Sequence, residues 1–135
     1  MGSLYLADSP ETAWAEWYRF LAEAAVPPRV ALPRDLAEVA VEIEEVADLT
    51  EEADLAAVGL SRPSPSSAEW RSFQLVGESL AAAGATGIVA PSAARPEGRV
   101  LCLFRGHGLD PAKSCAIASV DTAIEPPLVP RGLTT

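Results

Sequence analysis

The sequence has little of the chemistry that marks disulfide-rich, metal-binding or membrane-spanning proteins. Its 135 residues include two cysteines, Cys102 and Cys115, outside any CxxC-type spacing, and one histidine, His107, without a partner at ligand-like spacing. No metal or disulfide framework is therefore expected. No apolar stretch approaches the roughly 20 residues that cross a bilayer, and the N-terminus lacks a secretory signal. These absences favour a cytoplasmic protein that does not enter membranes.

Positive charge is also scarce. Ten Lys and Arg face 19 Asp and Glu, which gives a formal net charge of −9. Such a chain repels phosphate backbones at long range, so direct nucleic-acid binding is not expected, although an anionic small molecule could bind at a local cationic spot. The sequence also lacks the G-x-G-x-x-G, Walker, G-x-S-x-G and H-E-x-x-H motifs. Any chemistry must rest on scattered residues.

The length fits one domain, which we place at residues 1–124, followed by a Pro-rich C-terminal tail at 125–135. Residues 4–7 have the pattern of a short strand. A helix is predicted from Pro10 to about Ala25, with Asp8 or Ser9 as its N-cap. Its apolar stripe comprises Ala13, Trp14, Trp17, Phe20, Leu21 and Ala24. Both tryptophans are predicted to be core residues, and Glu16 lies at the flank of the stripe, between core and solvent.

The rest of the chain predicts mixed elements. Residues 36–50 alternate as a strand with one wet face, and Thr50 is typical of the N-cap of a short helix that ends near Gly59. Residues 61–67 have loop composition. A second helix is predicted over about 68–83, ending at Gly84, with Trp70, Phe73, Val76 and Leu80 on one face. Strands follow within 86–93, 99–104 and 114–120. This order predicts an α+β fold.

Two separated blocks carry a family resemblance. The stretch LYLADSPETAWAEW resembles the centre of the RES domain, named for its Arg, Glu and Ser signature, in which a Tyr-Leu-Ala strand precedes a helix with the signature Glu. Here that Tyr is Tyr5 and that Glu is Glu16. Residues 72–104 are similar to the family's second conserved block, in which Ser92 would be the signature Ser. The resemblance extends from Gly2 to about Phe104.

The resemblance implies an ADP-ribosyltransferase-like fold with a split β-sheet, flanking helices and a cleft that takes NAD⁺ as substrate. It implies a bacterial toxin of a toxin–antitoxin pair that cleaves the bond between nicotinamide and ribose. ADP-ribose would pass to water, phosphate or a protein, as in a glycohydrolase, a phosphorylase or an ADP-ribosyltransferase. Glu16 would be catalytic, Tyr5 would stack on the nicotinamide, and Ser92 would bind the ribose or a phosphate. An antitoxin would cover the cleft.

One part of the family pattern has no counterpart in these residues. RES domains carry their signature Arg in a Gly-Gly-Arg-Trp-Asn-like segment just before the Tyr-Leu-Ala strand, and no arginine here matches that position. The sequence therefore leaves a second hypothesis open, namely a non-catalytic RES-like domain that only folds and binds a partner. A strand missing from the sheet would also expose an edge, which favours homo-oligomers.

Overall fold

Two sheets and three α-helices are found in the part of the chain that the structure describes. The computed structural model describes residues 3–60, 70–104 and 115–133. The predicted loop at 61–67 and His107 lie outside the described residues. The elements, in chain order, are β1 (Ser3–Ala7), α1 (Pro10–Ala24), a 3₁₀ helix (Pro28–Ala31), β2 (Arg34–Val41), β3 (Val46–Asp48), α2 (Glu52–Ala57), α3 (Trp70–Ala82), β4 (Gly87–Pro91), β5 (Arg99–Phe104) and β6 (Cys115–Ala123). The α+β prediction is confirmed.

The larger sheet has the strand order β1-β5-β4-β3. Strand β5 pairs antiparallel with both β1 and β4, and β3 pairs parallel with β4. Strands β1, β3 and β4 therefore run in one direction, and their C-terminal ends lie at the same edge of the sheet. Helix α1 begins three residues after β1 ends, so its first turns start at that edge.

A hydrophobic core lies between this sheet and helices α2 and α3. Its buried members are Leu49, Leu55, Leu60 and Ala90. The predicted apolar face of α3 is confirmed for the residues whose side chains are described, since Phe73, Val76 and Leu80 pack on this core. The helix ends before Gly84, which has a φ of 102° that a residue with a Cβ rarely adopts.

The continuous strand predicted for residues 36–50 is wrong, because the structure divides it between two sheets. Strand β2 pairs with β6 in a two-stranded ribbon, whereas β3 joins the larger sheet. Glu45 lies between them with a φ of 59°, and this turn redirects the chain. The alternation of side chains along 36–44 is local and does not reveal which strand becomes the partner.

The predicted cap of α2 is also wrong. Glu51 occupies the N-cap position and makes no side-chain capping hydrogen bond. The Thr50 hydroxyl instead donates to the carboxylate of Asp48, and the Thr50 N–H donates to Asp48 Oδ1 at 3.0 Å. These two hydrogen bonds hold the pKa of Asp48 below its usual 3.8, against the opposing effect of burial.

Helix α1 buries a different set of residues from the predicted stripe. Its buried residues are Thr12, Ala15, Trp17 and Leu21, whereas Phe20 is 65% exposed. Thr12 packs against Gly98 in the connection between β4 and β5. The helix is therefore buried on this side as well as on the side that carries Trp17 and Leu21. Trp17 is a core residue as predicted. Trp14 is half-buried, and its ring makes an edge-on contact with the ring of Trp17. Within the described residues, none of the helices is both long and apolar enough to span a membrane.

Candidate functional site

Helix α1 carries Glu16 to the edge of the larger sheet. Ser9 is the N-cap, and its hydroxyl accepts a hydrogen bond from the Thr12 N–H, so the predicted cap is confirmed. Pro10 occupies the first turn, where its missing N–H costs nothing. Glu16 lies in the second turn, with 32% of its side chain exposed. The carboxylate is therefore anchored on a regular helix and still reaches solvent.

Ser92 lies directly against this carboxylate. Its Oγ donates a hydrogen bond to Glu16 Oε1 at 2.6 Å, although the two residues are 76 positions apart in the chain. Ser92 follows the last residue of β4 and is 1% exposed. The fold therefore brings the Glu and the Ser of the sequence hypothesis into contact, with the Ser behind the Glu.

The turn after β4 fixes the Ser92 hydroxyl. Its Oγ accepts hydrogen bonds from the N–H groups of Ala94 at 3.2 Å and Arg95 at 3.1 Å. With its lone pairs held by these two donors, the hydroxyl proton is directed at Glu16. The turn closes where the Ser92 N–H donates to the Gly98 carbonyl at 2.9 Å. Ser92 is thus oriented by its own loop before it reaches Glu16.

A glycine permits the close approach of α1 to this turn. A Cβ on Gly98 would lie 2.9 Å from Thr12 Cγ2 and closer still to Thr12 Oγ1. Real Cβ atoms do not reach such distances, so only glycine fits between the turn and the helix. Because Thr12 is four residues before Glu16, this contact also sets the position of the second turn of α1.

Two arginines flank the Glu16–Ser92 pair. Arg19 Nη1 lies 3.8 Å from Glu16 Oε2, and its Nη2 lies 3.2 Å from Glu23 Oε1. On the other side, Arg95 Nη1 donates to Thr12 Oγ1 at 3.1 Å. Sequence reasoning missed both. The i,i+3 spacing of Glu16 and Arg19 signals a pair on one helix face, whereas no local pattern marks Arg95, because its place depends on the turn.

Tyr5, the third predicted site residue, lies on strand β1. It is 68% exposed and, in register with Cys102 and Ile88, shares one face of the sheet. That face and α3 border a groove of about 410 Å³, whose lining residues include Tyr5, Phe73, Gln74, Glu78, Cys102 and Phe104. Neither Glu16 nor Ser92 lines this groove. The structure therefore brings two of the three predicted site residues into direct contact, and the third borders a groove that those two do not line.

The Pro-rich segment predicted as a tail packs against the same region. The Tyr18 hydroxyl donates to the Pro127 carbonyl, and Arg95 Nε donates to the Arg131 carbonyl at 3.0 Å. Burial raises the pKa of Tyr18 above its usual 10.0. Pro130, between the two contacts, is buried. Residues 127–131 are therefore held at both ends, by the helix that carries Glu16 and by the turn that carries Ser92.

In the part of the chain that the structure describes, no three His, Cys, Asp or Glu side chains form a group that could hold a metal ion. Cys102 and Cys115 are not joined in a disulfide. The chemistry available at the Glu16–Ser92 pair is that of one oriented carboxylate with two guanidinium groups nearby.

Comparison with known proteins agrees with the resemblance found in the sequence. No curated protein and no solved structure significantly matches this chain. The family model described as the RES domain matches residues 1–124. This match covers most of the 135 residues and includes both Glu16 and Ser92. The chain therefore belongs to the RES domain family.

Proposed function

We propose that this RES domain acts on NAD⁺ and cleaves the bond between nicotinamide and ribose. The observation that supports the proposal is the 2.6 Å hydrogen bond that joins Glu16 to Ser92, the two signature residues present, in a member of this family. NAD⁺ is the substrate that the family resemblance implies, and no metal takes part in the proposed reaction.

Glu16 is the proposed catalytic residue. Cleavage of a glycosidic bond produces an oxocarbenium-like sugar, and a fixed carboxylate next to the ribose stabilises the developing positive charge. Oε1 of Glu16 accepts a hydrogen bond from the Ser92 hydroxyl, which fixes the orientation of the carboxylate. The other oxygen, Oε2, lies 3.8 Å from Arg19 Nη1 and is the one proposed to face the substrate. The helix and the turn set this geometry in the protein before the substrate arrives, so little reorganisation is needed.

Ser92 is better suited to position Glu16 than to touch the substrate. It is 1% exposed, and its hydroxyl is occupied by two backbone N–H groups and by Glu16. A ribose hydroxyl could reach this oxygen only by displacing those contacts. We therefore assign Ser92 the role of a positioning residue, in place of the direct ribose or phosphate contact expected from the sequence.

Tyr5 is proposed to bind a flat ring of the substrate. NAD⁺ carries two flat rings, and an aromatic face with a polar tip suits such groups. The groove that Tyr5 borders is mostly apolar, with Gln74 and Glu78 supplying polar groups, and its volume of about 410 Å³ falls in the range of ligand pockets. Water, phosphate or a protein side chain would accept the ADP-ribose, and an antitoxin protein would cover the site.

The test compares Glu16→Gln with Glu11→Gln. Both replace a carboxylate of α1 by an amide, but Glu11 is exposed in the first turn. Each variant and the wild-type chain are expressed in bacteria, and the cellular NAD⁺ is measured. We expect NAD⁺ loss with the wild type and Glu11→Gln and none with Glu16→Gln. Unchanged NAD⁺ loss in Glu16→Gln would overturn the role of Glu16, and a folded wild type without NAD⁺ loss favours the non-catalytic, partner-binding alternative.

A further inference from the structure

The segment 127–131 connects helix α1 to the turn after β4, and it lies beyond residues 1–124, the stretch that matches the RES family model. The Tyr18 hydroxyl donates to its first carbonyl, that of Pro127, and Arg95 Nε donates to its last, that of Arg131. Four residues span roughly 14 Å at full extension. A segment held at both ends therefore limits how far the helix and the turn can move apart.

The sequence of this segment suits such a connection. Its prolines have no N–H, so they cannot pair as an ordinary strand, and their fixed φ makes the chain stiff. The Leu133 N–H donates to the Pro130 carbonyl at 3.3 Å, and Gly132 has a φ of 83°, as at the third position of a type II turn. This turn uses the Pro130 carbonyl and leaves the Arg131 carbonyl for Arg95.

Arg95 is the residue at which the segment, the turn and helix α1 meet. Its backbone N–H donates to Ser92 Oγ at 3.1 Å, its Nη1 donates to Thr12 Oγ1 at 3.1 Å, and its Nε donates to the segment. Its Nη2 lies 3.6 Å from Glu97 Oε1, and 17% of its side chain is exposed. All three guanidinium nitrogens thus contact protein groups, and the planar guanidinium holds these groups in a fixed relation.

Glu16 lies between the two places at which α1 is held. Thr12, four residues earlier, contacts Arg95, and Tyr18, two residues later, contacts the segment. At about 100° per residue, Tyr18 lies roughly 160° around the helix axis from Glu16, whereas Thr12 lies on nearly the same side as Glu16. Contacts on two sides of a helix oppose its rotation about its own axis. Such a rotation would turn the Glu16 carboxylate away from Ser92 Oγ.

We propose that the segment 127–131 positions Glu16 for the reaction and that Arg95 is the positioning residue through which it acts. The inference rests on the proposed function, since it concerns the same carboxylate. The hydrogen bond of 2.6 Å between Ser92 and Glu16 is then supported by the turn itself, by Arg95 on Thr12 and by the segment. The residues after 124 thereby become part of the site, although the sequence predicted a separate tail.

The test lengthens the segment and, separately, changes the Arg95 side chain, always in the full chain. Insertion of Gly-Gly between Leu128 and Val129, which are both exposed, adds roughly 7 Å of chain and keeps both anchoring groups. Arg95→Met removes the guanidinium, and Arg95→Lys keeps a charged donor. Arg131→Met removes the same charge from an exposed side chain but keeps the carbonyl that Arg95 binds, so it is the matched control.

Steady-state kinetics of NAD⁺ cleavage measure the effect. We expect kcat to fall about tenfold in Arg95→Met and several-fold in the insertion variant, because a small misplacement of a catalytic group lowers the rate strongly. KM should stay within about twofold, since neither change removes a proposed substrate contact. Arg95→Lys should retain more of kcat than Arg95→Met, and Arg131→Met should match the wild type. If circular dichroism shows that Arg95→Met is unfolded, the insertion variant and Arg95→Lys decide.

Three kinetic results would overturn the proposal. The first is an insertion variant with the kcat of the wild type. The second is a higher kcat in that variant, which would make the segment a restraint on the reaction. The third is a raised KM at constant kcat, which would place the segment in contact with the substrate.

Amide hydrogen exchange, followed by NMR, separates this proposal from the reaction itself, because it reports local order without turnover. In the insertion variant, exchange should become faster at the N–H groups of Ala94 and Arg95, whose acceptor is Ser92, and around Glu16, but not in α3. This pattern in a chain that does not cleave NAD⁺ keeps the positioning of Glu16 and rejects only the proposed reaction. Unchanged exchange, or faster exchange in α3 as well, overturns the positioning role.

Discussion

Ser92 Oγ and Glu16 Oε1 lie 2.6 Å apart and join the end of strand β4 to the second turn of helix α1. The Ser92 oxygen also accepts hydrogen bonds from two N–H groups of its own turn. The contact therefore fixes the position of the Glu16 carboxylate relative to the edge of the sheet. The catalytic group proposed here is thus fixed from the helix below it and from the buried hydroxyl beside it.

Ser92→Ala should therefore loosen Glu16 and destabilise the turn. The substitution leaves the N–H groups of Ala94 and Arg95 without their acceptor, and we expect a loss of about 1–3 kcal/mol in the free energy of unfolding. For any NAD⁺ cleavage, kcat should fall while KM changes little, because the substitution disturbs the orientation of Glu16 and removes no contact with the substrate. Chemical denaturation and steady-state kinetics measure the two effects. Ser79→Ala on the exposed face of α3 is the control, and an unchanged kcat in Ser92→Ala would contradict the positioning role.

Gly98→Ala tests the close approach of helix and turn. The new Cβ would overlap the Thr12 side chain, so we expect a destabilisation of about 1–3 kcal/mol from overpacking. Gly77→Ala is the matched control, since a Cβ there would have its nearest neighbours at 3.8 Å and would favour helix α3. Thermal unfolding should rank Gly77→Ala at or above the wild type and Gly98→Ala below it.

The double variant Gly98→Ala/Thr12→Ala identifies the cause of that loss. If overlap between these two residues destabilises the protein, removal of the Thr12 hydroxyl and methyl relieves it, and the two single effects should add to more than the double effect. Simple additivity would show that Gly98 matters for another reason.

How much of this site the sequence could predict depends on the range of the interactions. Helix α1 and its Ser9 cap follow from residues within one turn of each other, and both were predicted. The contact of Glu16 with Ser92 spans 76 positions, and only the family resemblance pointed to this pair. Arg95 had no signal at all, because its place depends on how the turn after β4 docks on α1. Phe20 was misplaced because helical periodicity gives a face but does not show which neighbours cover it.

The pH dependence of stability gives a local test at Asp48. Hydrogen bonds from the Thr50 hydroxyl and N–H hold the pKa of this carboxylate below 3.8 in the folded chain. A depressed folded pKa stabilises the protein above pH 3.8, and this contribution is lost as the pH falls through the folded pKa. Asp48→Asn should therefore cost more stability near neutral pH than in acid below the folded pKa. Denaturation at the two pH values measures the difference, and an equal cost at both would refute the link.

Thr50→Val provides the companion measurement. Valine keeps the shape of threonine and removes the hydroxyl, so the first cause of the shift disappears while the backbone hydrogen bond remains. An NMR titration of the Asp48 carboxyl carbon should show its pKa rising toward 3.8 in this variant. A titration that matches the wild type would remove the Thr50 hydroxyl as the cause.

Tyr18→Phe tests whether the segment 127–131 is held against the site as the structure shows. The substitution deletes the hydroxyl that donates to the Pro127 carbonyl, so one of the two described anchors is lost, and Arg95 alone retains the Arg131 carbonyl. The bond after Arg131 should then be cleaved faster by trypsin, because a protease binds an extended, released segment. Tyr5→Phe removes the chain's other tyrosine hydroxyl and should leave the cleavage rate unchanged. Equal cleavage rates in Tyr18→Phe and the wild type would show that the tyrosine does not hold the segment.

The wild-type chain should also release the segment as the pH rises above 10.0 and through the raised pKa of Tyr18, because the ionised phenol cannot donate a hydrogen bond to the Pro127 carbonyl.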